Sequence, residues 1–273
     1  MQGRQEKEGQ NNLKMKLINI TDITEYLYCP RKVFFRLVKG IKTPPNQRMI
    51  NGMLRHKVFD LFNKNEASLV SSIKEKLEEK EIRKLYDNLL LGITEEIIYQ
   101  NRNLMESFAL SPVDFKKSVK ETINPEINIR IPSIIETINR GFLGKELWRE
   151  LKPKYLTEFK IVSEELGLQG RVDRIEFSEN ISPVEIKTRE KVYDSDKIQL
   201  AGYALLLEKE FGKPVNFGIV EILGKKQQIE LNEELKNKVL EIAEKLRNLT
   251  DEQAEFPSNF EKCRNCDFRE NCQ

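Results

Sequence analysis

The sequence predicts a mixed α/β protein, a sheet that carries the chemistry with helices packed on it. Three observations lead there. Residues 155–162, 166–177 and 181–188 are consecutive runs rich in β-branched and aromatic residues, the signature of strands. Residues 196–211 have helical spacing and are followed by two more strand-like runs, 215–223 and 226–231. Ahead of them lies a long, highly charged, helical stretch, and strands mixed with helices in this order give a sheet covered by helices.

In chain order, residues 1–16 are polar and predict a loose leader. Residues 17–67 form an N-terminal helical segment. In it Asp22 is expected to cap a helix, with Glu25 three residues on, and Pro30 to kink or end it just after Cys29. Residues 31–38 resume as a helix, Pro44 and Pro45 stiffen the following loop, and 49–63 form a further helix holding His56, the chain's single histidine. Gly52 lies one turn before it, where a missing side chain could admit a close neighbour. Residues 68–147 read as a helical insertion, with helices over 71–91 and 94–108 and breaks at Pro112, Pro125 and Pro132. Lys116, Lys117 and Lys120 could line a nucleic-acid path there, or simply form a solvated face. Residues 148–254 form the sheet core, with Asn232 capping a last helix, and 255–273 a cysteine-bearing tail. The stretch 141–146 has the wrong glycine spacing for a phosphate loop, which excludes a nucleotide triphosphatase of that type.

Composition narrows the classes. Of 273 residues, 33% are charged and 39% hydrophobic, enough to bury a real core in a soluble chain. The formal net charge of +2 means that nucleic-acid contact must come from a local patch. No apolar run is long enough to span a membrane and the N-terminus lacks an apolar signal segment, so the expected location is cytoplasmic.

The chemistry gathers between residues 170 and 203. Asp173 lies in one strand run, and Glu185 and Lys187 in the next. Side chains alternate across a strand, so Glu185 and Lys187 share a face while Val184 and Ile186 point to the other. Two carboxylates and a lysine on adjacent strands can hold a divalent metal with a cation beside it, the equipment for cleaving a phosphodiester. A solvated face of an antiparallel sheet has the same composition. On the following helix Gln199 and Tyr203 share a face at i and i+4, and Gly202 among small residues implies close packing of that helix on the sheet.

The four cysteines are Cys29, far upstream, and Cys263, Cys266 and Cys272. Disulfides are disfavoured in a cytoplasmic chain, and buried thiols do not gather three to a ten-residue tail. A four-thiolate site for zinc or an iron–sulfur cluster is the better reading, and ligands drawn from opposite ends of the chain favour iron–sulfur.

Taken together and in order, these motifs resemble the RecB-like nucleases of the PD-(D/E)xK superfamily, and more narrowly the iron–sulfur CRISPR-associated Cas4 family. The likeness runs from about Tyr26 to the C-terminus, apart from residues 68–141. The histidine motif falls on His56, the aspartate motif on Asp173, the acidic-x-lysine motif on Glu185 and Lys187, and the Q-x-x-x-Y motif on Gln199 and Tyr203. The resemblance implies a restriction-endonuclease-like α/β core with a helical insertion and a cluster joining the two ends of the chain. It assigns Cys29, Cys263, Cys266 and Cys272 to the cluster, four-iron favoured over two-iron. His56, Asp173, Glu185 and the Ile186 carbonyl would ligate Mn²⁺ or Mg²⁺, the imidazole tilting the choice toward Mn²⁺. Lys187 would act on the attacking water and the phosphate, with Gln199 and Tyr203 positioning it or the DNA. Glu158 is a candidate outer-shell acid, though an exposed strand glutamate is the plainer reading. The implied partners are DNA and a CRISPR integrase complex, and single strands or frayed ends are favoured if the helical insertion lies over the core and covers the site. A stand-alone repair or viral nuclease, or a DNA-end binding module, are the alternatives.

Overall fold

A computed structural model describes residues 16–272 apart from 153, 188, 190, 223–224, 257–259 and 265. The expected leader lies outside these residues but for Lys16. Among the described residues one mixed sheet holds six strands in the order β1-β3-β4-β5-β6, with β2 on the other edge of β3. They are β1 (Ile18–Asn19), β2 (Lys154–Ser163), β3 (Leu168–Phe177), β4 (Ile181–Lys187), β5 (Phe217–Ile222) and β6 (Lys225–Glu230). The five longer strands match the periodicity in the sequence. β1 was not expected, because two residues are too few to show a period. It pairs parallel to β3 through Leu168 and Gln169, while β4 pairs antiparallel to β3 only over Arg174–Phe177 and turns to run parallel with β5.

Helix α1 (Ile20–Tyr28) begins one residue after β1. Its cap is Asn19, not Asp22; the Asp22 carboxylate instead sits at the third helical position and accepts from the Asn19 backbone N–H at 3.2 Å. Cys29 is extended, and Pro30 opens α2 (Pro30–Leu37), where its missing N–H costs nothing. The long α3 (Gln47–Ser71) leads to α4 (Glu79–Gln100), α5 (Arg102–Ser107), α6 (Pro112–Asn139) and α7 (Gly144–Glu150). The helices expected over 71–91 and 94–108 are divided differently: Ser71 closes α3, a loop covers 72–78, and α4 runs on through Gly92 to Gln100 before the short α5. Only Pro112 marks a helix end, since α6 runs unbroken through Pro125 and Pro132. Seven apolar side chains, Phe115, Val119, Ile123, Ile127, Ile131, Ile134 and Ile138, are buried along it. At roughly 1.5–3 kcal/mol each they outweigh two helix-interior prolines at about 3 kcal/mol apiece.

Two hydrophobic cores result. One joins the sheet to α1, α2, α8 (Asp194–Phe211) and α9 (Glu233–Arg247), with Phe268 of the tail; the other joins α3 to α4, α6 and α7. Buried ion pairs tie the helical core together and to the sheet. Glu66 of α3 takes a bidentate contact from Arg130 of α6 at 2.6 and 3.0 Å and a hydrogen bond from Tyr86 of α4 at 2.7 Å. Arg174 of β3, 1% exposed, pairs with Glu126 of α6 and with Glu176 and Glu221 on the sheet. Truncating either arginine would leave uncompensated buried carboxylates. No helix among the described residues is long and apolar enough to cross a membrane.

Candidate active site

The site forms where β3 and β4 part company. Beyond Arg174 the antiparallel ladder stops, and the Ile186 N–H, which would have continued a ladder, donates instead to the Asp173 carboxylate at 2.9 Å. Alternation along β4 then works as the sequence requires. Ile186 packs on the helical core, while Glu185 and Lys187 face α8. Lys187 Nζ donates to Glu185 at 2.5 Å and to Gln199 Oε1 at 3.3 Å, and Gln199 Nε2 donates to the Tyr203 oxygen at 3.0 Å. The i, i+4 spacing of Gln199 and Tyr203 thus builds one polar chain, lysine to glutamine to tyrosine, along a single helix face.

Gly202 explains how α8 comes so close. A Cβ there would lie 2.6 Å from Ile20. The close neighbour is therefore the first turn of α1 and not the sheet, a correction to the expected packing. Gly170 does face the sheet–helix contact, with Tyr203 3.0 Å from where its Cβ would be. Gly52 has open space around it, so the neighbour expected beside it is absent.

His56 reaches the site from α3. Its Nδ1 lies 2.6 Å from Glu158 Oε1, and Glu158 Oε2 accepts from Arg171 at 3.3 Å. The Glu158 side chain is only 11% exposed, which overturns its reading as a surface glutamate. Its backbone has φ +50° in the middle of β2, directly opposite Asp173, where the ladder skips a pair. A non-glycine residue held there is strained, and such strain gathers at functional sites. One ligand atom each from His56, Glu158 and Asp173 lies within 4.8 Å of the others, a spacing that a divalent cation fits. Glu185 offers a further donor, since its Oε2 is buried and has no hydrogen-bond partner among the described residues.

The electrostatics agree with a site that wants a cation. Burial, and then the Asp173 charge, push Glu185 up to about 8, against the pull of Lys187. Burial likewise raises Asp173, opposed by His56. The hydrogen bond that His56 donates to Glu158 is the main influence raising His56, and burial drives Tyr203 far above its ordinary value. These groups open onto a cleft of about 610 Å³ walled by α1, α3, β2, β3, β4 and α8. No described residue of 68–147 lines it, so the helical stretch stands beside the cleft and does not roof it. Lys116 and Lys120 line a separate hollow against α4, and Lys116 is paired with Glu95 at 2.9 Å. Arg171 was legible in advance, since it lies two residues before Asp173 on the same strand face. Nothing local pointed to Thr21 and Thr24, which line the cleft from α1.

The cysteines converge far from this cleft in sequence terms. Cys29, Cys263, Cys266 and Cys272 line one small hollow of about 40 Å³, and all four are free thiols. Burial raises the Cys272 thiol, and Cys266, Cys29 and Cys263 each add to that rise. The tail is also held by ordinary contacts. Phe268 stacks on Phe35 at 6.1 Å, Arg31 bonds Asp251 at 2.7 Å, and Lys262 donates to the Tyr28 carbonyl at 3.2 Å.

Comparison with known proteins bears on these residues together. A CRISPR-associated exonuclease Cas4/endonuclease Cas1 fusion from Leptospira interrogans is 29% identical over 160 residues, 52% of this chain and 30% of that protein. The chain therefore spans less than a third of that relative's length. The crystal structure of SSO0001 covers 94% of this chain and 85% of its own, at 16% identity and a TM-score of 0.36, too loose a likeness to weigh on the fold. The family profile described as PD-(D/E)XK nuclease superfamily matches residues 18–273, spanning the sheet, His56 and the cysteine tail. With the divergent β3–β4 pair, its carboxylates and its lysine in view, the chain belongs to the PD-(D/E)XK nuclease superfamily and is a nuclease.

Proposed function

We propose that this chain is a metal-dependent DNA nuclease that cuts single strands or frayed ends, carries a structural iron–sulfur cluster and trims DNA during CRISPR spacer acquisition. One observation carries the catalytic part: three ligand atoms from His56, Glu158 and Asp173 converge within 4.8 Å, beside a buried, unpartnered oxygen of Glu185. His56, Asp173, Glu185 and the Ile186 carbonyl would hold Mg²⁺ or Mn²⁺, which supplies Lewis acidity to the phosphate and lowers the pKa of a water. Glu158 holds the His56 ring by Nδ1, leaving Nε2 as its free donor. Lys187, fixed between Glu185 and Gln199, orients the attacking water and stabilises charge developing on the phosphate. Tyr203 braces Gln199 and so the lysine. Glu185 lies buried and Asp173 half-buried in the wall of a recess, where the phosphate of one flexible strand can reach more readily than a closed duplex. The four converging cysteines suit a thiolate-bound cluster, and the full set Cys29, Cys263, Cys266 and Cys272 would hold it.

The spacer-acquisition role rests on the fused relative, and co-elution with a CRISPR integrase from the same genome tests it. A stand-alone repair or viral nuclease is the second reading, supported by the size of the helical core. For the chemistry, the parent should cleave single-stranded DNA with Mn²⁺ or Mg²⁺ and stop with chelator. Lys187→Ala should lower kcat by about 10² or more while DNA affinity stays nearly intact, because the lysine acts on transition-state charge. Full activity in that variant would remove Lys187 from the mechanism.

A further inference from the structure

A second, smaller hollow lies against the cleft, and His56 borders both. It holds about 50 Å³ and is lined by Arg55, His56, Phe59, Thr122 and Ile186. It thus sits where α3, α6 of the helical stretch and the end of β4 meet. No carboxylate of the described residues lines it. Arg55 Nε is buried and has no hydrogen-bond partner among the described residues. An unpaired buried donor on a guanidinium is costly, and such groups are almost always paired in a finished structure. No ion pair joins Arg55 to a described carboxylate, so an anion held in the hollow would be its counter-ion.

We propose that this hollow binds a backbone phosphate of the DNA strand next to the one being cut, with Arg55 as its clamp. The proposal rests on the DNA-nuclease reading above and adds the strand's path across α3 toward α6. A guanidinium presents a planar fork of donors that matches a phosphate, and its own helix places it one residue from His56. The apolar walls of Phe59 and Ile186 keep competing water from one side of the ion. The volume exceeds the 10–15 Å³ that a single water requires and leaves room for a tetrahedral oxyanion.

The test compares the parent with Arg55→Gln on a fluorescent single-stranded oligonucleotide, by anisotropy over a range of salt, by steady-state cleavage, and by thermal melting. Loss of a charge-assisted phosphate contact should weaken binding about tenfold. It should also lower the slope of log affinity against log salt by about 0.7, the value for one phosphate on a single strand. The fall in kcat/KM should come through KM, and Tm should stay level or rise, since a costly buried donor is gone. Arg55→Lys, which keeps the charge, should recover the salt slope. Unchanged affinity and slope in Arg55→Gln, or a fall in Tm with the slope intact, would make Arg55 a packing residue and overturn the proposal. A parent that neither binds nor cuts DNA would instead defeat the nuclease reading itself.

Discussion

Glu185 carries two opposing demands. Its carboxylate must be charged to hold a cation, yet it is 4% exposed and lies beside the Asp173 charge. The metal-free fold therefore keeps it protonated up to about 8, against 4.5 for an ordinary glutamate. Between those values the folded state binds more protons than the unfolded one, so stability of the metal-free protein falls as pH rises from about 4.5 to about 8. Chelated parent protein should thus lose melting temperature across that window, and Glu185→Gln, which cannot titrate there, should lose less. The affinity for Mn²⁺ should rise over the same range, since binding must expel the proton. Melts of the two proteins with parallel slopes would show that Glu185 is not the titrating group. That Glu185 and Lys187 share a face was readable from strand alternation. That Glu158 turns inward was not, because its φ of +50° departs from the strand geometry on which alternation depends.

At the scale of elements, α6 is the instructive case. Pro125 and Pro132 read as helix breakers, yet the spacing of Phe115, Val119, Ile123, Ile127 and Ile131 at every fourth residue was also in the sequence and describes a buried stripe. The stripe prevails because each buried side chain contributes nearly as much as one proline costs. Pro132 is exposed and makes no use of its ring in the core. Pro132→Ala should restore a backbone donor and raise stability by up to about 3 kcal/mol, read from denaturant unfolding. A loss of stability would mean that Pro132 helps to seat Glu126 against Arg174. α3 shows the complementary lesson. Its helical character was clear, but it has two duties, offering His56 to the cleft and Leu54 and Val58 to the helical core.

At the scale of the whole molecule the two ends of the chain meet at the cysteines. Closing a loop of more than two hundred residues between Cys29 and Cys263 could stabilise the fold by up to about 5 kcal/mol, by analogy with disulfide loop closure. Phosphodiester hydrolysis needs no electron, so the cluster is proposed as a clasp. If the proposed cluster is present, the purified parent should be brown, and Cys29→Ala should lose that colour and have a lower Tm. Asp173→Ala should keep both and lose cleavage. Absorbance spectra and thermal melts of the two variants beside the parent decide the matter; a Cys29→Ala protein as stable as the parent would sink the clasp. Contacts such as Phe268 on Phe35 already hold the tail near α2, and they set how much of the loss the variant shows.

The sequence by itself determined the five longer strands, the helices that cover them, the shared face of Glu185 and Lys187 and the pairing of Gln199 with Tyr203. These follow from periods of 2 and 3.6 residues, which are local properties of the chain. It also presented Asp173, His56 and the four cysteines as chemistry in search of neighbours. Only the tertiary structure decided that Asp173 takes the Ile186 N–H where the β3–β4 ladder ends, and that Glu158 grips His56 across 102 residues. It alone set the helical core beside the cleft and left Arg55 Nε without a hydrogen-bond partner among the described residues. Each of these depends on which faces of distant elements meet, and that is settled by packing and strain distributed over the whole fold, which no local period records.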